Sequence, residues 1–166
     1  MPISFDDFIT KWTGIGIDVD NYPSDNKFQC MDLMHKYVEE VLGLTDSSLL
    51  ADSGASQAYK NFSSHPIWGK YFQKIDNTLW NAPQKGDIVF WDGTYGHVAV
   101  FVNGNVLNFN SFDQNFPTGS LPHIQNHNYL SPKVLGWLRF IPQIPVVNKY
   151  ELAYKQIKSI IDSTGV

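Results

Sequence analysis

A change in hydrophobic period near Pro83 is the feature that most constrains the fold of this chain. Before Pro83, apolar residues recur at helical spacing in two segments, residues 4–12 and residues 28–43. After it, short runs of β-branched and aromatic residues are separated by Gly, Asn and Pro, which is typical of strands. Helices followed by strands predict an α+β fold, with N-terminal helices packed on a C-terminal antiparallel β-sheet.

Four strands are predicted, at residues 86–91, 96–102, 105–111 and 134–141, and Asn103-Gly104 predicts a hairpin turn between the second and third. A three-residue loop would pair Val102 with Val106 and place His97 opposite Ser111. Asp113 would then be the diagonal neighbour of His97 on the same face. A two-residue loop would turn Asp113 to the other face, because a slip of one residue flips every side chain.

Other regions of the chain carry weaker signals. Residues 49–80 mix Ser, Asn and aromatic residues and indicate one or two short helices with long loops. Residues 148–161 have apolar residues near helical spacing. We therefore expect one globular domain at residues 1–147 and a C-terminal helix or linker at residues 148–166.

Composition excludes several classes of function. The formal net charge of −4 argues against a nucleic-acid partner, and no apolar run has the length of a membrane span. The N-terminal residues lack the pattern of a secretory signal peptide, so we expect synthesis in the cytoplasm. We expect a monomer that folds without an internal disulfide, because the chain has one cysteine.

That cysteine, Cys30, lies in the first turn of the second predicted helix. Backbone N–H groups and the helix dipole favour a thiolate there. A single cysteine is also often a small buried hydrophobic residue, and a partner base is needed to distinguish the two interpretations. His97 supplies a candidate, because it opens a predicted strand directly after Gly96. A thiol at a helix start and a histidine on a strand, oriented by a carboxylate or amide, form the arrangement of papain-type acyl transfer.

The order of five segments resembles one known family. FQCMDL, KGDIVFW, GHVAVF, SFDQN and GWLRFIP follow one another as in the CHAP family, the cysteine, histidine-dependent amidohydrolases/peptidases of bacterial and phage cell-wall enzymes. The resemblance covers roughly residues 18–142. It implies a papain-like fold and a cell-wall substrate.

The resemblance also implies roles for individual residues. Cys30 matches the nucleophile and His97 the general base. Asp113 and Asn115 match the orienting pair, with aspartate where the family usually has glutamate. Gln29 matches the residue before the nucleophile, and either its amide or the Cys30 N–H could contribute to an oxyanion hole.

A polar segment before the cysteine helix suggests a metal site. Asp18, Asp20 and Tyr22 alternate along it, and oxygen-bearing residues on a tight loop suit calcium. Some members of the similar family bind calcium with such a loop and with the acid two residues after the cysteine, here Asp32. The alternative is a solvated turn with a helix cap.

Two histidines have a spacing that some metal sites use. His123 and His127 are four residues apart, but Pro122 and the neighbouring asparagines indicate a loop. We therefore expect surface histidines there and no zinc site.

The predicted function is a peptidoglycan hydrolase that cleaves an amide bond with a cysteine nucleophile, as in a bacteriophage endolysin. It would act on the bacterial cell wall as an N-acetylmuramoyl-L-alanine amidase or a crossbridge endopeptidase, and the sequence does not separate these. The alternatives are a non-catalytic wall-binding module of the same fold and an intracellular thiol protease.

Overall fold

The computed structural model describes residues 1–19, 28–46, 49, 52–130, 132–143, 154, 157–159 and 161–163. Its helices are α1 (Phe5–Trp12), α2 (Cys30–Glu40), α3 (Ala55–Lys60) and α4 (Trp68–Tyr71), with a short 3₁₀ helix at Phe62–Ser64. Its strands are β1 (Phe72–Asp76), β2 (Ile88–Trp91), β3 (His97–Gly104), β4 (Asn108–Asp113), β5 (His123–Asn128) and β6 (Val134–Phe140). The strands form one antiparallel sheet in the order β1-β6-β2-β3-β4-β5. The predicted α+β, papain-like fold is confirmed.

The two longer helices begin where the sequence predicts. Ser4 caps α1 by accepting a hydrogen bond from the Asp7 N–H at 3.1 Å, and Phe8 buries the apolar stripe of that helix. Helix α2 begins at Cys30 and presents Leu33, Met34, Tyr37 and Val38 to the sheet. These helices therefore cover one face of the sheet.

The opposite face of the sheet has its own apolar cluster. Residues in β2 and β3 alternate between the two faces, so Val98 packs with the helices while Ala99 faces the other way. The second cluster contains Val89, Trp91, Ala99, Phe101, Phe109, Val134 and Trp137. His97 and Asp113 lie on the same face as this cluster, because each is an even number of residues from one of its members.

The hairpin between β3 and β4 differs from the prediction. Asn103 and Gly104 are the last residues of β3, not its turn, and Ser111 lies opposite Phe101 where the prediction places Leu107. The predicted register was wrong by four residues along β4. Four is an even shift, so Asp113 still shares a face with His97.

A β-bulge makes that shift even. Near the turn, Gly104 pairs with Phe109, so the register there differs from the predicted one by five residues. The bulge between Phe101 and Asn103 reduces this difference to four residues for the rest of the hairpin. Without the bulge, Asp113 would point to the helix-covered face. The bulge therefore decides whether the carboxylate can meet His97.

Both edge strands were missed by the sequence analysis. Strand β1 falls in a region predicted as helices and loops, and β5 falls in the segment predicted as a loop. Both are mostly polar, with two apolar residues in β1 and one in β5, and are paired on one side only, β1 with β6 and β5 with β4. Their pairing partners rather than their own composition make them strands.

The C-terminal region is described only in part. Residues 148–153 lie outside the described residues, whereas residues 154, 157–159 and 161–163 are helical with exposed side chains. The domain boundary at residue 147 stays a prediction. Among the described residues, no helix combines the length and apolar character needed to cross a membrane.

Candidate active site

Cys30 is the first residue of α2, and its side chain is half-buried. Gln29 is the N-cap residue, and the Asp32 carboxylate in the first turn accepts a hydrogen bond from the Gln29 N–H at 2.7 Å. Asp32 also accepts one from the Val19 N–H at 3.3 Å. These bonds fix the start of the helix that carries the thiol, where the dipole favours an anion.

His97 is the first residue of β3 and follows a glycine that the backbone requires. Gly96 has φ of +71°, and a Cβ there would lie 2.5 Å from the Trp91 carbonyl oxygen and 2.7 Å from Ser56 atoms. Only glycine fits this close turn. The turn sets the direction in which β3 begins and therefore places the imidazole at the sheet end.

The imidazole of His97 joins Cys30 to Asp113. Its Nε2 lies 2.5 Å from Asp113 Oδ1, and the Cys30 side chain is close enough to raise the pKa of the ring by hydrogen bonding. Because a carboxylate only accepts hydrogen bonds, Nε2 carries a proton, and Nδ1 is the ring nitrogen left for the thiol. The structure thus brings together a thiol, an imidazole and a buried carboxylate in the order that acyl transfer requires.

Burial and hydrogen bonding oppose each other at this histidine. Burial lowers the pKa of His97, but hydrogen bonds to Asp113 and Cys30, and the charges of those groups, raise it from 6.5 to about 9. Burial likewise raises the pKa of Asp113, yet hydrogen bonds from His127 and His97 lower it below its ordinary value. Both shifts favour the charged forms, an imidazolium at His97 and a carboxylate at Asp113.

Aromatic rings cover the His97 imidazole. The rings of Trp91 and Phe116 each lie with their centroids 5.1 Å from it. Trp91 is 1% exposed, so its ring shields the His97–Asp113 pair from solvent on that side. An ion pair in such surroundings is less screened by water than one at the surface.

The sequence analysis missed the contacts of His127 and Ser111 with Asp113. His127, predicted as a surface histidine in a loop, lies in β5 and is 5% exposed. Its Nε2 lies 3.2 Å from Asp113 Oδ2, and the Ser111 hydroxyl donates to the same oxygen at 2.5 Å. The prediction for His127 was wrong, because its surroundings depend on the unrecognised pairing of β5 with β4.

Asn115 has different partners from the predicted one. Its Nδ2 donates to Gln29 Oε1 at 3.0 Å, and its Oδ1 accepts from the Gly119 N–H at 2.7 Å. Within the described residues, these hydrogen bonds do not include His97. Asn115 therefore holds Gln29, whose side chain lines the cleft next to Cys30.

Gln114, a residue that the sequence analysis did not select, connects the same strand end to α2. Its fully buried amide exchanges two hydrogen bonds with the backbone of Ile17, both at 2.8 Å. It also donates to the Gln29 carbonyl at 2.7 Å. Gln114 thereby fixes the segment before Cys30 against the sheet.

The predicted calcium ligands are only partly described. Asp20 and Tyr22 lie outside the described residues, whereas Asp18 and Asp32 lie within them. Each oxygen of Asp32 accepts a hydrogen bond from a backbone N–H. In the described part of the chain, no three acidic, His or Cys side chains are grouped as metal ligands.

The site opens into a cleft of about 1080 Å³ between α2 and the end of the sheet. Cys30, His97 and Gln29 lie on its wall, together with Trp91 and Tyr95. A cleft of this size accommodates part of an extended polymer around the thiol.

Comparison with known proteins identifies the family. A model of the CHAP domain matches residues 19–115, more than half of the chain, and the match contains Cys30, His97, Asp113 and Asn115. A comparison with curated proteins found no significant match. CHAP domains are hydrolases of the amidase type that act on peptidoglycan. The chain belongs to the CHAP family.

Proposed function

We propose that this protein hydrolyses an amide bond of peptidoglycan with Cys30 as the nucleophile. The observation that carries the proposal is the contact of Cys30 with His97, whose other ring nitrogen is bonded to the buried Asp113 at the edge of an open cleft. A thiol that was only a small hydrophobic residue would not need a charged histidine beside it.

In the first step, the Cys30 thiolate attacks the carbonyl carbon of the amide. The C–S bond forms, the C–N bond breaks, and the His97 imidazolium gives its proton to the leaving amine. In the second step, water attacks the thioester while His97 takes the proton of that water. The acid is released and Cys30 is regenerated as a thiolate.

The negative oxygen that forms in each step needs donors. The Cys30 N–H is at the start of α2, where backbone N–H groups have no intrahelical partner. We assign it to the oxyanion together with the side-chain amide of Gln29, which Asn115 holds through its oxygen. Asp113 orients His97 and stabilises its positive charge.

The proposed biological role is that of a phage endolysin acting on the bacterial cell wall. Cleavage between muramic acid and L-alanine and cleavage within a crossbridge follow the same two steps, so either bond fits the chemistry. We also propose that calcium binds the loop before α2 as a stabilising ion. No catalytic step depends on it.

The test is digestion of purified cell walls with mass analysis of the released ends. We expect Cys30→Ala and His97→Ala each to lower the release by at least about 10³-fold, because nucleophile and base act as a unit. New amino ends on L-alanine identify an amidase, and new ends within crossbridges identify an endopeptidase. His123→Ala is the matched control, since His123 lies in β5 and bonds to Leu121 and Gln125.

Three outcomes contradict the proposal. Release by Cys30→Ala at a rate near that of the wild type excludes the thiol mechanism. Binding to walls without release, unchanged by alkylation of Cys30, indicates a binding module. Cleavage of soluble proteins but not of walls indicates a thiol protease.

A further inference from the structure

The carboxylate of Asp113 accepts more hydrogen bonds than the orientation of His97 requires. Its Oδ1 faces His97, while Oδ2 accepts from the Ser111 hydroxyl at 2.5 Å and lies 3.2 Å from His127 Nε2. Asp113 and Ser111 are fully buried, and His127 is 5% exposed. The carboxylate is therefore bonded to three side chains, one from each of three neighbouring strands: His97 in β3, Ser111 in β4 and His127 in β5.

A single bond to His97 would leave the carboxylate free to turn. The last torsion of an aspartate side chain is broad, so rotation about it moves both oxygens at little energetic cost. Two donors on Oδ2 remove that freedom and direct Oδ1 at His97. Asn115 does not supply this restraint, since its amide bonds to Gln29 and Gly119.

The backbone puts the two donors in these positions. Ser111 is two residues before Asp113 in β4 and therefore on the same face. His127 lies opposite Phe109 in β5, and its ring packs against Trp91 and Phe116 with centroid distances of 4.8 and 5.2 Å. Both donors are held by strand pairing and by packing, so the restraint exists before any substrate binds.

We propose that His127, together with Ser111, is a positioning residue that holds Asp113 in the orientation needed by His97. The inference rests on the proposed function in one respect, that Cys30 and His97 are the reacting pair. His127 acts through Asp113 and does not touch Cys30 in the described contacts.

The titratable groups around His97 come from three elements. Cys30 faces it from α2, Asp113 from β4, and His127 from β5, with its ring centroid 6.4 Å from that of His97. The remaining ring neighbours, Trp91 and Phe116, are uncharged. Loss of the Asp113 restraint should therefore lower the pKa of His97 and reduce the positive charge beside Cys30.

Alkylation of Cys30 by iodoacetamide measures this ion pair without a wall substrate. The chain has one cysteine, so intact mass reports the reaction of that thiol alone. The measured quantity is the alkylation rate at pH 6 divided by the rate at pH 9. A positively charged His97 beside the thiol raises this ratio, so the ratio reports the charge of His97.

Two substitutions separate hydrogen bonding from packing. His127→Phe keeps an aromatic ring against Trp91 and removes the donor, and we expect the ratio to fall by about 10-fold. His127→Gln loses the ring but carries an amide N–H at the reach of Nε2, and we expect a ratio close to that of the wild type. Ser111→Ala should lower the ratio as His127→Phe does, and His123→Phe on the same strand should leave it unchanged.

The opposite results overturn the proposal. It fails if His127→Phe keeps the wild-type ratio and loses only thermal stability, or if His127→Gln falls as far as His127→Phe. If His127→Phe does not fold, His127→Asn replaces it, because its amide is one methylene too short to reach Asp113. An equal ratio for His127→Asn and His127→Gln then excludes the hydrogen bond as the cause.

The same measurement distinguishes this inference from the proposed function. If wild-type protein releases nothing from cell walls but its alkylation ratio is high and falls in His127→Phe, the wall activity is wrong and the positioning role stands. If walls are digested and the ratio does not respond to His127, the wall activity stands and the positioning role is wrong.

Discussion

Cys30 lies on a helix whose anchors come from distant parts of the chain, whereas His97 lies in a sheet whose neighbouring strands hold it directly. The residues that fix the helix side, Gln114 and Asn115, are 85 to 97 positions from their partners. The contacts that fix the sheet side, from Asp113 to His97 and His127, span 16 and 14 positions. We call these the helix side and the sheet side of the site.

The two sides also differ in the charge that they bury. On the sheet side, an aspartate and two histidines meet away from water, so the loss of one partner leaves a charge without compensation. On the helix side, the carboxylate of Asp32 is buried and accepts hydrogen bonds from backbone N–H groups, and the buried amide of Gln114 bonds to backbone groups. Loss of Gln114 therefore leaves unpaired but neutral groups. We therefore expect substitutions on the sheet side to affect chemistry most and those on the helix side to affect stability as much as chemistry.

The largest effect in this comparison is expected for Asp113→Asn. An amide offers one acceptor and one donor, whereas the three neighbours of Asp113 all need acceptors. The pKa of His97 should fall from about 9 towards 6.5, and activity at pH 8 should fall by about 10²-fold or more. The measurement is the pH profile of wall digestion and of Cys30 alkylation.

Stability should change with the same pKa. A folded-state pKa above the unfolded value adds stability that is complete below pH 6.5 and is lost as pH rises through about 9. Urea unfolding should show this loss in the wild type and a smaller one in Asp113→Asn. Asp6→Asn is the control, because Asp6 is exposed and pairs with Lys85 at the surface. If the loss of stability at basic pH is the same in Asp113→Asn as in the wild type, Asp113 does not set the charge of His97.

The central part of the sheet could be predicted from the sequence, and its edges could not. Strands β2, β3, β4 and β6 overlap the predicted runs. All four lie between other strands, and β2, β3 and β6 are largely apolar, while β4 carries two buried phenylalanines. Strands β1 and β5 carry residues such as Gln73 and Asn126 on their exposed faces, and that composition is also common in loops. The register of β4 was wrong because a bulge leaves no clear signal in a single sequence.

The same distinction applies to the site. Cys30, His97 and Asp113 could be selected because a helix start, a Gly-His strand start and a face pattern are local signals. His127 and Gln114 could not, since one belongs to an edge strand and the other acts on residues 85 and 97 positions away. The only sequence signal for Gln114 is its place between Asp113 and Asn115, at the polar end of an apolar strand.

On the helix side, Gln114→Leu should have the next largest effect. It takes the Gln114 partner away from both the N–H and the carbonyl of Ile17 inside the protein, and each group left unpaired costs about 1–3 kcal/mol. We expect a loss of about 2–4 kcal/mol in urea unfolding. A shift of Gln29 would also displace Cys30 and lower wall digestion by about 10-fold.

The control for this substitution is Gln73→Leu, because Gln73 is exposed on the edge strand β1. The pH dependence of Gln114→Leu provides a second comparison. Its loss of stability at basic pH should be close to that of the wild type, since the sheet side is intact. A change in that loss like the one expected for Asp113→Asn would show that the two sides are not separate.

The smallest effect is expected for calcium, which would act only on the loop that leads into α2. Asp18 precedes Val19, whose N–H donates to Asp32, and without a cation the charges of these two acids repel one another. At ten times its Kd, calcium would stabilise the protein by about 1.4 kcal/mol. We expect chelation to lower melting temperature and wall digestion together, and calcium to restore both better than magnesium does.

Asp20→Ala should reproduce the chelated state, whereas Asp162→Ala, an exposed acid paired with Lys158, should still respond to calcium. The alkylation ratio should not change with calcium, because the hydrogen bond between His97 and Asp113 involves no residue of the loop. If metal-free protein melts at the same temperature with and without calcium, the loop is a capping turn, and calcium does not stabilise the helix side.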